Sequence, residues 1–300
     1  MSSPNAPAAA ESGSRWVRAG HCYVVATPIG NLADIGERAA AVLHGVDVIA
    51  CEDTRHARVL LTHLGVRKEL VALHEHNERG ASEALCRRLA AGESVALISD
   101  AGTPAISDPG EVLVRVLVAA GMPVVPVPGP SAVIAALSAS GLPARPFWFE
   151  GFLPAQDKAR RDRLDTLARV EATLAFYEAP HRIARSVGVC AERLGADRPA
   201  VLARELTKRF EQISSGSLAQ LVERLATGAI PARGEFVLLV GPDATASPTD
   251  GPEAEALIGL LIDEGVAPKT IARVVSRTTS RSRNAVYAEV LARREGGRTS

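Results

Sequence analysis

The stretch Val95-Ala96-Leu97-Ile98-Ser99-Asp100-Ala101-Gly102-Thr103-Pro104-Ala105-Ile106-Ser107-Asp108-Pro109-Gly110 decides how this chain reads. Its four apolar residues, Val95 to Ile98, predict a buried strand, and the small residues after them predict a turn ahead of a helix. Asp108 suits the N-cap of that helix, Pro109 its first position and Glu111 its third. The loop from Ser99 to Ser107 carries almost no side-chain bulk. Gly102 lets a ligand approach the backbone, whose N–H and C=O groups can bind both ends of a polar molecule. Open α/β sheets place their ligands at such carboxyl ends of strands; a plain strand-to-helix turn is the alternative.

On either side, residues 22–26, 46–51, 70–73 and 124–127 read as further short apolar strands. Helical stretches lie between them: from a cap at Asp34 to His44, from Glu52-Asp53-Thr54-Arg55-His56 to near Gly65, over about 82–91, over 109–120, and in the Ala-rich run opened by Pro128-Gly129-Pro130-Ser131-Ala132. Strands alternating with helices at this spacing predict an α/β fold with a mostly parallel sheet covered on both faces. The prolines and the aromatic cluster Phe147-Trp148-Phe149 within 141–151 mark a domain junction. The expected organisation is a disordered leader at 1–20, an α/β domain at 21–141, a second α/β domain at 142–242, a linker at 243–252 and a helical, basic domain at 253–300. In the second domain, strands are expected at 147–152, 173–177, 200–203, 211–215 and 235–240, with helices at 157–169, 180–194 and 218–225.

Of 300 residues, 47% are hydrophobic, and Lys+Arg equals Asp+Glu at 34 each, so the chain is globular and not a uniformly basic nucleic-acid binder. Cys22, Cys51, Cys86 and Cys190 are far apart and sit in apolar or helical segments, as expected of buried thiols in a reducing compartment. No run approaches the ~18 apolar residues of a membrane helix, and residues 1–20 lack the apolar core of a secretory signal. A cytoplasmic protein is expected. There is no G-x-G-x-x-G after the first strand and no G-K-[ST], which argues against a nicotinamide dehydrogenase or a P-loop NTPase.

Polar clusters follow several strands. Glu52 to His56 reads as a cleft wall or as a capped helix start. His74-Glu75-His76 could set two imidazoles on one face of a strand, without the further ligands a metal requires. Tyr177-Glu178-Ala179-Pro180-His181-Arg182 and Arg204-Glu205-Leu206-Thr207-Lys208-Arg209-Phe210-Glu211 put charged loops at further strand ends, which together suggest one cleft between two domains. The run Lys158 to Arg163 and the cations Lys269, Arg273, Arg277, Arg281, Arg283, Arg293 and Arg294 suit phosphate contact or a solvated surface; the latter group could equally serve packing or dimerisation.

Taken together, the segment from Val24 to Leu32, Cys51-Glu52-Asp53-Thr54-Arg55, His74-Glu75-His76-Asn77-Glu78, Ser99-Asp100-Ala101-Gly102-Thr103-Pro104, Ser107-Asp108-Pro109-Gly110, Pro128-Gly129-Pro130-Ser131-Ala132, Phe149-Glu150-Gly151-Phe152-Leu153-Pro154, Tyr177 to Arg182 and Ala203 to Lys208 resemble the ribosomal RNA small subunit methyltransferase I family, a branch of the tetrapyrrole-methylase fold. The resemblance covers about residues 21–242 and extends more loosely over the C-terminal segment. Tetrapyrrole methylases usually carry Gly-Pro-Gly after the first strand and Gly-Asp-Pro in the second cofactor loop. Here Thr27-Pro28-Ile29-Gly30 and Asp100 to Pro104 stand instead, which fits the RNA branch.

The resemblance implies a homodimeric enzyme with a cofactor cleft between its two α/β domains. It implies 2'-O-methylation of a cytidine ribose in the decoding region of 16S rRNA, in the small ribosomal subunit, with S-adenosylmethionine as methyl donor. A tetrapyrrole methylase of the same fold and a non-catalytic RNA-binding protein are the alternatives. The implied cofactor wall comprises Asp100, Ala101, Gly102, Thr103, Pro104, Ser131 and Ala132 from the first domain, and Tyr177, Ala203, Glu235 and Phe236 from the second. Candidate bases or charge-stabilising groups are Glu52, Arg55, His76, Glu178 and Arg182. Lys158, Arg160, Arg161, Lys208, Arg273, Arg277, Arg281 and Arg283 are the expected RNA contacts.

Overall fold

A computed structural model describes residues 15–242, 252–279 and 281–296. Of the expected leader, residues 1–14 lie outside the described residues, as do 243–251 of the expected linker. The end of the leader is tied down: Val17 packs on the first core and the Arg18 N–H donates to Tyr23 Oη at 2.8 Å.

The first sheet contains β1 (Cys22–Val25), β2 (Val48–Cys51), β3 (Glu69–Ala72), β4 (Val95–Ile98) and β5 (Val124–Val127), in the order β3-β2-β4-β1-β5 and parallel throughout. Because side chains alternate along a strand, each strand feeds two cores. Tyr23, Val25, Ile49, Cys51, Ala96 and Ile98 meet α1 (Glu37–Gly45) and α2 (Thr54–His63) through Val42, Leu43, Leu60 and Leu61. Cys22, Val48, Ala50, Val95 and Leu97 meet α3 (Glu78–Ala90) and α4 (Glu111–Ala119) through Leu85, Leu89, Leu113 and Leu117. Burial pushes the thiols of Cys22 and Cys190 up to about 12 and that of Cys51 up to about 11, so these cysteines are inert core residues; Cys86 is half-buried.

Several expected boundaries move. Asp34 does not cap α1; it ends a short 3₁₀ turn, Leu32–Asp34, capped by Asn31, and Gly36 precedes the helix. Asp108 and Pro109 do not open α4, which is preceded by Gly110 at φ 127°. The cap comes from another element. Glu78, the first residue of α3, accepts from the N–H groups of Gly110 at 2.7 Å and Val112 at 3.0 Å. With those donors satisfied by a distant carboxylate, Asp108 is left to serve elsewhere. β3 ends at Ala72, so His74 and His76 occupy the turn beyond it and the expected shared strand face does not exist.

The second sheet has the order β6-β7-β10-β8-β9, built from β6 (Phe147–Phe152), β7 (Thr173–Glu178), β8 (Pro199–Arg204), β9 (Gln212–Ser217) and β10 (Phe236–Val240). Only β6 and β7 pair in parallel. One face packs on α6 (Asp157–Leu167), α7 (Ile183–Leu194) and α8 (Leu218–Ala226). The other face receives α5 (Ala132–Ala139), which follows the last strand of the first sheet. Val133, Ala136 and Leu137 of this helix pack with Ala175, Val201, Ala203, Val237 and Leu239. Beyond Pro242 a second compact unit holds α9 (Pro252–Asp263), α10 (Pro268–Thr278) and α11 (Arg283–Gly296) around Ile258, Ile271, Val275, Val286 and Val290. No described helix is long and apolar enough to cross a membrane.

The external cap on α4 gives a direct test. Glu78→Ala removes the acceptor for two backbone donors and should destabilise the protein by about 1–2 kcal/mol in urea unfolding. Stability equal to wild type would show that Asp108 or solvent caps the helix instead.

Candidate active site

Loops from the two sheets meet around one cavity of about 330 Å³. The first sheet contributes the segments after β1, β4 and β5. The second contributes the ends of β6, β7 and β8 and the start of β10, where Phe236 stands opposite both Glu178 and Arg204 in the ladder. The loop after β4 is fixed by a pair of backbone bonds: Thr27 N–H donates to Gly102 O at 2.8 Å and Gly102 N–H to Thr27 O at 3.0 Å. Gly102 has φ 83°, a left-handed value that favours glycine. Thr103 Oγ1 donates to Pro130 O at 3.2 Å, joining this loop to the segment that leads into α5.

Ser131, the N-cap of α5, makes no side-chain cap bond, while the Val133 N–H donates to Tyr177 Oη at 3.3 Å. The start of a helix thus faces the cavity with its donors and its positive end. Ile29, Ile106, Phe152, Leu206, Phe236 and Val237 provide apolar walls. The charged residues among the lining are Asp108, Glu178 and Glu235; among the described residues no Lys, Arg or His lines it.

Nine of the eleven expected cofactor-wall residues line this cavity: Ala101, Gly102, Thr103, Ser131, Ala132, Tyr177, Ala203, Glu235 and Phe236. Asp100 and Pro104 do not. Asp100 turns outward, its carboxylate 2.7 Å from His56 Nδ1 and accepting from the Asp53 N–H at 3.3 Å, and Pro104 is buried under the loop. The hydrogen bond from His56 to Asp100 raises the pKa of the imidazole.

The expected catalytic groups are placed differently from their sequence reading. Glu178 lines the wall, yet its carboxylate is 1% exposed and accepts from the Ala179 N–H at 2.9 Å and Ser186 Oγ at 2.5 Å. Arg182 lies 3.2 Å from Glu178 and donates to Leu153 O at 2.5 Å. The pair clamps β7 and α7 to the chain leaving β6, with the Glu178 carboxylate committed to Ala179, Ser186 and Arg182. Arg55 is 85% exposed and paired with Asp53, whose carboxyl it holds well below the usual range. His76 is exposed in its turn, and Glu52 lies outside the lining. Burial, with the charges of Asp100 and Asp53, raises the Glu52 pKa.

Asp108, read from sequence as a helix cap, is the titratable group that this reading missed. Burial first, and then the charges of Glu52 and Asp100, push its carboxyl up to about 6. The visible signal was its place in Ser107-Asp108-Pro109-Gly110, at the end of the loop singled out as a ligand cradle.

The expected RNA contacts divide into committed and free cations. Arg160 is 2% exposed and donates to Pro154 O and Ala155 O, so it holds the loop before α6 from a buried position. Arg161 is shared by Asp157 and Glu192. Lys208 bridges Glu205 and Glu235 at 2.9 Å each, and its stem covers Gly30, where a Cβ would stand 2.5 Å from Lys208 Cγ. Arg281 pairs with Glu289. Lys158, Arg273, Arg277 and Arg283 are exposed and have no ion pair among the described residues. On the first unit, Arg58, Arg67 and Lys68 line a separate surface groove, a cationic patch the sequence reading did not single out.

Residues 21–222 match the family model of Tetrapyrrole (Corrin/Porphyrin) Methylases. The chain is 50% identical to the ribosomal RNA small subunit methyltransferase I of Xylella fastidiosa (strain Temecula1), over 89% of this chain and 98% of that protein. It is 49% identical to the protein of the same name from Pseudomonas aeruginosa, over 92% and 98% of the two chains. Among solved structures, uroporphyrin-III C-methyl transferase from Thermus thermophilus complexed with S-adenyl homocysteine shares the fold, with a TM-score of 0.51 and 23% identity over 74% of this chain and 97% of that one.

The Asp108 environment sets a pH-dependent stability. Its folded value of about 6 lies above the ordinary 3.8, so folding favours the neutral carboxyl. That contribution is complete below about pH 4 and is lost as pH rises through about 6. Asp108→Asn should therefore stabilise the protein at pH 8 by about 1 kcal/mol, a figure discounted for partial solvation of the carboxyl, raising Tm by about 2–4 °C. The gain should shrink toward pH 4; thermal unfolding with an equal gain at both pH values would show that Asp108 is not the titrating group.

Proposed function

The chain belongs to the ribosomal RNA small subunit methyltransferase I family within the tetrapyrrole methylases, and from that premise we propose that it transfers a methyl group from S-adenosylmethionine to the 2'-oxygen of a cytidine ribose in the decoding region of 16S rRNA. The observation that carries this reading is the charge and construction of the cavity. Its donors come from the start of α5, its acids are Asp108, Glu235 and the internally paired Glu178, and it has no basic side chain among its described lining residues. Such a lining suits a ligand with one carboxylate and a net positive charge and disfavours a polyphosphate nucleotide.

The residues present fit the methyl donor. Ser131 and Ala132, at the α5 N-terminus, suit its carboxylate; Asp108 and Glu235 suit its positive groups; Ile29, Leu206, Phe236 and Val237 suit its adenosine and exclude water. When bound, S-adenosylmethionine supplies an electrophilic methyl carried on a sulfonium. The chain's own work is alignment of the ribose hydroxyl, exclusion of water and acceptance of a proton. Asp108 is the cavity carboxyl without a cationic partner among the described residues, and above about pH 6 it is available to take the hydroxyl proton.

Lys158, Arg273, Arg277 and Arg283 are proposed as phosphate contacts. Lys269, Arg273 and Arg277 recur every four residues on α10, opposite the buried Ile271 and Val275. Like charges at that spacing repel, and RNA phosphates would relieve the repulsion. A homodimer acting in the cytoplasm on the small ribosomal subunit completes the reading.

Radiolabelled methyl transfer to small subunits lacking the native modification, followed by nucleotide mapping, tests it. Label is expected in one decoding-region cytidine, with its 3' phosphodiester resistant to alkali; label in a tetrapyrrole alone would assign the protein to small-molecule methylation. Asp108→Asn should lower kcat about 10²–10⁴-fold while retaining the folded state, and full activity would remove Asp108 from the proton-accepting role. Reversing the charges of Arg273, Arg277 and Arg283 should flatten the dependence of log affinity for RNA on log salt by about 2–3. An unchanged slope would show that these arginines touch no phosphate.

A further inference from the structure

Ile106 and Phe152 both line the cavity, yet they remain 44% and 53% exposed. Unusual backbone holds each of them there. Ile106 lies between Ala105 and Ser107, whose φ values of 65° and 67° are left-handed conformations unfavourable for non-glycine residues. Phe152 follows Gly151, which has φ 76° and lies at the register shift between β6 and β7. A shift of this kind bends the strand and re-aims the side chains beyond it.

The two rims meet at one point. A Cβ on Gly151 would stand 3.0 Å from Ser107 Oγ, so Ile106 and Phe152 each sit one residue from that close approach. Ile106 comes from the loop after β4 of the first sheet and Phe152 from β6 of the second. The Phe152 ring meets Tyr177 edge to face at 5.8 Å, which braces it while more than half of the residue stays open to solvent. Apolar side chains kept exposed at the mouth of a cavity, by strained backbone on one rim and a strand irregularity on the other, mark a ligand contact.

Resting on the methyl-transfer reading above, we infer that Ile106 and Phe152 form a jaw that grips the base of the target nucleotide, with Phe152 stacking on its face. A ribose hydroxyl can enter this cavity only if its nucleotide leaves its neighbours, and the base then loses its stacking partners. An aromatic ring at the mouth replaces them. The sugar-phosphate backbone is a poor occupant of the jaw because no Lys or Arg among the described residues lines the cavity. The base is the part of the nucleotide flat and apolar enough for it.

The test uses the full chain with unmethylated small ribosomal subunits, and compares wild type with Phe152→Ala, Phe152→Tyr and Ile106→Ala. Methyl transfer is followed against subunit concentration at saturating S-adenosylmethionine, cofactor affinity by calorimetry and folding by Tm. Phe152→Ala should raise the KM for subunits about 10–100-fold with cofactor affinity and Tm unchanged. Phe152→Tyr should restore the wild-type KM, and Ile106→Ala should raise it by less than Phe152→Ala does. An unchanged KM in Phe152→Ala overturns the jaw, as does a loss of cofactor affinity that matches the loss of activity, which would place the ring against the cofactor. Wild-type enzyme that labels no small-subunit RNA overturns the proposed function and the jaw with it; active wild type with indifferent variants overturns the jaw alone.

Discussion

The structure depends on one helix being buried in the wrong half of the chain. α5 leaves the first sheet and inserts Val133, Ala136 and Leu137 into the open face of the second, against Ala175, Val201, Ala203, Val237 and Leu239. Full burial of side chains such as Val and Leu contributes about 1.5–3 kcal/mol each, so the two sheets cannot separate without exposing a shared core. Because α5 starts at Ala132, the same packing that joins the sheets also puts a helix N-terminus at the cavity wall. Cavity shape and domain packing are therefore one constraint.

Around that constraint the charged side chains fall into two groups. Arg160 and Lys208 were expected as RNA contacts and Arg182 as a catalytic group, yet each is held by carbonyls or carboxylates that fasten a loop beside the cavity. Buried or half-buried cations of this kind are tolerated because they are paired, and removing one partner would strand the other. Lys158, Arg273, Arg277 and Arg283, by contrast, are exposed and have no ion pair among the described residues.

The cavity loops also carry the strain. Ala105, Ser107, Glu205 and Thr207 all have positive φ without being glycine, and all four belong to the two loops that face each other across the site. The Thr27 to Gly102 backbone pair and the Lys208 bridge to Glu205 and Glu235 hold these loops in place. Local strain persists where surrounding contacts over-determine the backbone, and here those contacts are the ones that shape the lining.

Much of this was legible in the residues alone. The apolar runs at Val48–Cys51 and Val95–Ile98, separated by amphipathic helices, specify a parallel sheet buried on both faces, since each side of every strand needs a helix. The small-residue loop from Ala101 to Thr103 pointed to a ligand cradle, because a backbone that must approach a ligand excludes bulk, while Tyr177, Ala203 and Phe236 were indicated only by the family resemblance. What the residues did not disclose was partnership across the chain. Asp108 read as a helix cap because the signals for capping are local, whereas Glu78, 32 positions before Gly110, does the capping and releases Asp108 to the cavity. Glu178 and Arg182 read as reactive groups because their charge is visible in sequence and their burial against Ser186 and Leu153 is not. Periodicity and turn chemistry act over a few residues and so determine elements and loops; whether a charged side chain faces a ligand or another part of the chain depends on long-range packing, which only the tertiary structure decided.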